Sequence, residues 1–385
     1  MPSQPAVPTS APVRGSFYGL LDQLRALAAL AVVWAHLVGY YMSVTGATWL
    51  PAAAVDKVVE RPVGVIHDFG WFGVAVFFFI SGFVITHAAF REGSTEFAVK
   101  RLLRIYPPLL AAVLIAIAAG AILGVPATRL DGAPLTLLDV AANATLLNHV
   151  VLADAYILTV AWTLAVEVAF YALMWALHPL TRRAPWATAL VIIAVSTLAS
   201  LLLPDEGWTG RIAQILTFLP LLVMGQALYL TVTRRVPLLL GLALGGAGWV
   251  AFVACLGAVY PERTTVDNNY AANAAVAFLL VVIAVLAEGR FPATRVLAVV
   301  AKRSYSLYLV HGPLGLNVMG RLDDTGWPYP VVLLIALLVI AVVTEAVYRF
   351  VERPSIALGK ASARRLRART ARRLAARKGI AEPAY

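Results

Sequence analysis

The stretch RALAALAVVWAH, Arg25 to His36, sets a guanidinium and an imidazole at the two ends of ten apolar residues. On a helix that turns about 100° and rises about 1.5 Å per residue, eleven steps bring His36 back to within about 20° of Arg25, roughly 16 Å along the axis. Asp22, three residues before Arg25, shares that face. The segment reads as an apolar cylinder with one polar stripe, and what the stripe means depends on the solvent around it.

That solvent is not water. The 385-residue chain is 61% hydrophobic and 13% charged, with a mean hydropathy of +0.82, whereas a soluble domain is about a quarter charged. Apolar runs near 18–42, 70–88, 105–125, 160–178, 186–203, 212–232, 237–258, 271–288, 304–321 and 331–351 are each about the length that crosses a bilayer. They predict an all-α polytopic integral membrane protein with about ten transmembrane helices. A further run at 137–153 is interrupted by Asp139, Asn143, Asn148 and His149, which predicts a re-entrant or interfacial helix instead of an eleventh span. Around the membrane domain, 17–354, lie a Pro- and Ser-rich leader, 1–16, and a basic tail, 355–385. The single cysteine, Cys255, excludes an intrachain disulfide and a thiolate metal site.

Lys and Arg are retained on the cytoplasmic side of short loops. Placing the N-terminus inside puts Arg91, Lys100, Arg101, Arg104, Arg182, Arg183, Arg234, Arg235, Arg290, Arg295, Lys302 and Arg303 on that side. The opposite loops hold only Lys57, Arg61, Arg129, Arg211, Arg263 and Arg321, beside acids such as Asp205, Glu206, Asp323 and Asp324. Ten spans return the C-terminus to the cytoplasm of a plasma-membrane protein. The tail ARRLRARTARRLAARK supplies much of the net charge of +11; directly after a span, its expected partner is anionic lipid headgroups and not nucleic acid.

Ionisable groups inside spans are costly and usually face a cavity or the bundle interior. His36 lies near mid-membrane. In AWTLAVEVAFYAL, Glu167 has Thr163 four residues before it and Tyr171 four after, all on one face. A buried carboxylate needs a partner or a proton, and His36 with Glu167 would make a base and its orienting group. In SYSLYLVHGPLG, the residues Ser304, Tyr308 and His311 form a second polar stripe. In VKRLLRIYPP, Arg101 and Arg104 stand three apart at the start of a span, where paired guanidinium groups suit phosphates and also suffice simply to fix topology. Ser81 and Gly82 in FFFISGFVITHA mark a close helix contact. There is no Walker loop, HExxH or GxSxG motif, and no metal is expected from histidines so scattered. These residues leave two function classes open, a membrane enzyme using His and Glu or a proton-coupled transporter or exporter using the same groups as a relay. A purely structural role fits poorly with two histidines and a glutamate inside spans.

Taken in order, LDQLRALAALAVVWAH, FFFISGFVIT, FAVKRLLRIYPPLL, WTLAVEVAFYAL, FLPLLVMGQAL, SYSLYLVHGPL and YRFVERPSIALGK resemble the membrane acyltransferase 3 family over nearly the whole chain. The resemblance implies ten core spans and transfer of an acetyl or other short acyl group from acyl-CoA, most commonly acetyl-CoA, to a hydroxyl of a carbohydrate or a glycosylated small molecule. It implies catalytic roles for His36, as base or transient acyl carrier, and Glu167. It implies donor contacts for Arg101 and Arg104 and maps family positions onto Arg25, Ser81 and His311; joined to the polar stripes, this leads us to expect Arg25 beside the donor phosphates and Tyr308 or His311 beside the acceptor. Gln23 departs from the pattern, standing where the family usually has glycine.

Overall fold

The computed structural model describes residues 19–60, 69–265, 269–292, 294–323 and 325–377, with the backbone alone for 60 and 369–377. The leader and the topology residues Arg61 and Asp324 lie outside them. The thirteen principal helices are α1 (Gly19–Trp34), α2 (Phe69–Arg91), α3 (Ser94–Leu123), α4 (Leu137–Thr145), α5 (Trp162–Ala176), α6 (Pro185–Leu202), α7 (Gly207–Leu216), α8 (Leu219–Val232), α9 (Leu238–Val259), α10 (Tyr270–Leu286), α11 (Arg295–Asp323), α12 (Tyr329–Val347) and α13 (Arg353–Arg377). Among the described residues the only β pairing is two isolated bridges.

A helix stands at each of the ten expected places. Eight segments among the described residues are long and apolar enough to cross a membrane, with α7 and α8 forming one of them. The other two fall short for visible reasons: α10 has 17 residues, and α11 carries Arg295, Lys302, Arg303, Arg321 and Asp323 over its 29. The expected break at 137–153 is real. Thr136 caps α4, its hydroxyl accepting from the Asp139 amide while the Asp139 carboxylate accepts from the Thr136 amide at 2.8 Å. The helix stops after nine residues, with Leu146 in the left-handed region at φ 66°, too short to span.

Helix ends are tied by long-range polar contacts. The Glu288 carboxylate accepts from the amides of Gly19 and Leu20 at 2.8 and 3.0 Å, satisfying two orphan donors at the positive end of α1. Gln23, in place of the family's glycine, is buried and accepts from the Thr294 amide at 3.1 Å and its hydroxyl at 3.3 Å. The substitution thus fastens α1 to the start of α11.

The spans pack through small residues, since lipid supplies no hydrophobic drive between helices. A Cβ on Gly82 of α2 would stand 1.9 Å from the Leu222 carbonyl oxygen, and one on Gly225 of α8 would stand 2.1 Å from that of Phe79. The two backbones touch. A Cβ on Gly73 would likewise meet the Ala28 carbonyl of α1 at 2.6 Å.

Two features were not legible beforehand. After Trp34 the first span runs on as a π-helix, Ala35–Tyr40, so its hydrogen-bond ladder widens at His36. At the other terminus α12 continues through a π-helical turn, Tyr348–Glu352, into α13. Glu352 of FVERP accepts from Ser306 at 2.5 Å, and Arg367 forks onto Glu96 of α3. As far as Arg367 the basic tail packs along α3, with Arg364, Arg365 and Arg367 still exposed.

Candidate active site

Helices α1, α2, α3, α5 and α11 surround two cavities that lie along the polar stripe of α1. The first holds about 80 Å³ and is lined by Arg25, Ser81, Arg104, Glu167, Ser304 and Tyr305 among others. These come from the first halves of α1, α3 and α11, from the middle of α2 and from the second turn of α5. The second holds about 350 Å³ and is lined by His36, Tyr40, Trp71, Trp162, Arg263 and Tyr270 among others, from the continuation of α1, the starts of α2, α5 and α10 and the turn before α10. Val74 and Tyr308 belong to both walls. They form the partition.

In the first cavity Glu167 gathers hydroxyls: Ser81 donates to it at 2.8 Å and Tyr171 at 2.5 Å. The i, i+4 relation of Glu167 and Tyr171 puts that pair together, and the glycine contact beside Ser81 brings the third group across from α2. Arg25 lies 3.7 Å from Asp22. Arg104 has no hydrogen-bond or ion-pair partner among the described residues and opens onto the cavity. Its neighbour Arg101 does something else, pairing with Glu92 and covering the Phe97 ring at 4.4 Å. The structure does not bring the two together. Three residues on a helix differ by about 60°, enough to turn one guanidinium into the cavity and the other toward the α2–α3 turn.

In the second cavity His36 meets His311. The Nδ1 of His311 faces the carbonyl oxygens of Tyr308 and Leu307 at 2.8 and 3.2 Å. The Nδ1 of His36 faces the Val32 carbonyl at 2.9 Å and Nε2 of His311 at 3.2 Å. Carbonyl oxygens only accept, so each Nδ1 carries a proton, and His311 Nε2 is the bare acceptor for His36. In the neutral ring Nε2 of His36 is then the bare nitrogen, and it has no partner among the described residues, beside the cavity. Backbone geometry alone fixes this tautomer. Glu167 does not contact His36; the two line different cavities. Tyr308 donates to the Val160 carbonyl at 3.2 Å and pairs with Thr163 at 2.9 Å, so its hydroxyl ties α11 to the start of α5.

Sequence reasoning reached Arg25, His36, Ser81, Arg104, Glu167, Tyr308 and His311. It missed the walls of the second cavity. Trp71 stacks on Tyr270 with ring centroids 4.4 Å apart, and Arg263 lies over the Tyr270 ring at 4.5 Å. Arg263 counted beforehand only toward topology, and the aromatics are indistinguishable from core in a one-dimensional pattern. Among the described residues no three His, Cys, Asp or Glu side chains cluster as a metal site.

A polytopic helical bundle with paired histidines beside one polar cavity and a second polar cavity next to it defines a membrane-embedded catalyst, not a scaffold. The family model described as an acyltransferase domain matches residues 18–347, and the chain belongs to that family, acyltransferase 3. It is an acyltransferase enzyme of the membrane. No curated protein and no solved structure matches it.

Proposed function

We propose that the protein transfers an acetyl or other short acyl group from acyl-CoA to a hydroxyl of a carbohydrate or glycosylated metabolite. The observation that carries this reading is the His311–His36 chain, which turns Nδ1 of His36 toward protein partners and leaves its Nε2 free beside the second cavity, on whose wall His36 lies. One cavity suits each substrate. The unpartnered Arg104 and the adjacent Arg25 offer cations to the donor's phosphates, and the aromatic second cavity offers flat faces to a sugar. The excess of basic residues in the loops at the Arg104 end supports a cytoplasmic position for it in the plasma membrane, the side on which acyl-CoA is found.

In the reaction His36 Nε2 takes the acceptor hydroxyl proton as that oxygen bonds to the thioester carbonyl carbon. On collapse the C–S bond breaks, and the thiolate of coenzyme A leaves with the proton returned by the imidazolium. His311 holds the ring during both transfers. Glu167, with Ser81 and Tyr171 fixed on it, balances the charge of Arg25 and Arg104 and shapes the donor cavity.

The test uses membranes containing wild-type protein or His36→Ala, incubated with radiolabelled acetyl-CoA and a host extract of glycans and glycosylated metabolites. Label on a carbohydrate with wild type alone is the expected result. Equal labelling by both proteins would remove His36 from the mechanism, and flux across vesicles without labelling would favour a transporter.

A further inference from the structure

A third cavity of about 170 Å³ opens beside the second, sharing Trp162 and Arg263 with it. Its other polar walls are His149, Tyr156, Arg211, Gln214 and Tyr260. Among the described residues no carboxylate lines either cavity. Two guanidinium groups thus face a shared space with no acid among the described residues of its wall; Glu262, beside Arg263, is well exposed, its Oε1 3.5 Å from the guanidinium. Arg211 spends its Nε on the Val150 carbonyl at 2.8 Å and reaches Val151 with Nη2 at 3.5 Å, leaving Nη1 unengaged among the described residues.

The chamber is built, not incidental. Its wall from 147 to 158 is pinned by Asn143, which donates to the carbonyls of Asp139 and Ala155 at 2.9 and 3.0 Å and accepts from the Asn148 side chain and the Ile157 amide at 3.1 and 2.9 Å. Within that wall His149 is only 8% exposed, yet its Nε2 is buried with no hydrogen-bond partner. A buried polar atom is normally satisfied. His149 lines the chamber beside two arginines, and its unpaired Nε2 is the polar group there that a small turn of the ring would offer to a ligand.

We propose that this side chamber binds an anionic substituent of the acceptor, a phosphate ester or a carboxylate, held by Arg211 and Arg263 with His149 completing the contact. The proposal rests on the acyltransferase reading for the word acceptor. The sugar ring would lie against Trp162 on the shared wall, with the hydroxyl to be acylated toward His36. The chamber then selects charged glycosides over neutral ones by electrostatic complementarity, and it fixes which hydroxyl is presented.

The experiment is equilibrium dialysis of the full-length protein in detergent against radiolabelled methyl glucoside, glucose 6-phosphate and glucuronic acid, with acetyl transfer measured in parallel. Either anionic sugar should bind about tenfold more tightly than the neutral one, with the better of the two identifying phosphate or carboxylate, and the preference should shrink as salt rises. R211Q and R263Q should bring the affinity ratio close to one. Because Arg211 also holds the Val150 carbonyl, Gln214→Glu serves as the second variant: it removes no hydrogen bond and should invert the preference. Equal retention of all three sugars by wild type, including none, would overturn the proposal. So would arginine variants that change the affinity of coenzyme A and not of the sugar phosphate. Anionic preference without acetyl transfer to any sugar would instead overturn the proposed transfer from acetyl-CoA to such carbohydrates and leave the anion site standing.

Discussion

His36 and His311 stand edge to face, ring centroids 5.1 Å apart with planes at 61°, and the protonated nitrogen of the first points at the bare nitrogen of the second. Both rings take their orientation from carbonyls of their own helices. The pair therefore presents a preset tautomer with no carboxylate taking part, and an imidazole so held can accept a proton without first turning.

Removal of the base should cost most. His36→Ala should lower kcat by about 10²- to 10⁴-fold, the usual contribution of general-base catalysis. His311→Ala should lower kcat by about tenfold while leaving KM for acetyl-CoA unchanged, and His311→Gln, whose amide oxygen can accept from His36 Nδ1, should recover part of it. Steady-state kinetics on purified protein would check all three. A His311→Ala enzyme with wild-type kcat would show that orientation by this ring is not needed.

The two arginines of the VKRLLRIYPP segment should separate by phenotype. Arg104→Lys gives up a planar fork and should raise KM for acetyl-CoA about tenfold with little change in melting temperature. Arg101→Gln breaks the pair with Glu92 and should lower the melting temperature with little change in KM. A KM effect confined to Arg101 would reverse the assignment.

The α2–α8 contact leaves no room for a methyl group. Gly82→Ala or Gly225→Ala sets a carbon against a carbonyl oxygen, and should destabilise the protein by about 1–3 kcal/mol or more, the range for overpacking. Gly245→Ala, where the added carbon meets nothing within 4 Å, is the control. Thermal unfolding in detergent reads the difference.

Burial holds the His149 imidazole down to about 4, against roughly 6.5 in an unfolded chain. Between those values the opened segment binds a proton that the folded segment refuses, so folding there weakens as pH falls from about 6.5 toward 4. Amide exchange across 147–158, corrected for its intrinsic pH dependence, should accelerate at pH 5 relative to pH 7, and His149→Gln should remove the difference. Glucose 6-phosphate should protect the wild-type segment at pH 5 if it is a ligand of the side chamber.

The ten helices were legible because length and apolarity are properties of a line of residues, and a bilayer reads that line directly. Asp139 and Asn143 betrayed the short α4 for the same reason. Contacts between helices were harder. The sequence offered Glu167 as the partner of His36, but which residues meet depends on how far each helix slides along its axis, and α11 places His311 there instead. Arg101 and Arg104 looked equivalent because a spacing of three ignores the remaining 60°. Trp71, Tyr270 and Arg263 come from three separate segments, and nothing in their local sequence says that they share a wall.

The π-helical turn at Ala35–Tyr40 has a genealogical reading. Such a turn accommodates one more residue than an α-helix of the same rise, the mark of a single-residue insertion accepted without breaking the span. Everything beyond it is rotated by about 100° relative to an uninterrupted helix, which brings the Tyr41 hydroxyl to Asp323 at 2.8 Å. Relatives with a regular first helix should be one residue shorter here, and deleting a residue such as Gly39 from this chain should restore the α-helix while carrying Tyr40 and Tyr41 off their present faces.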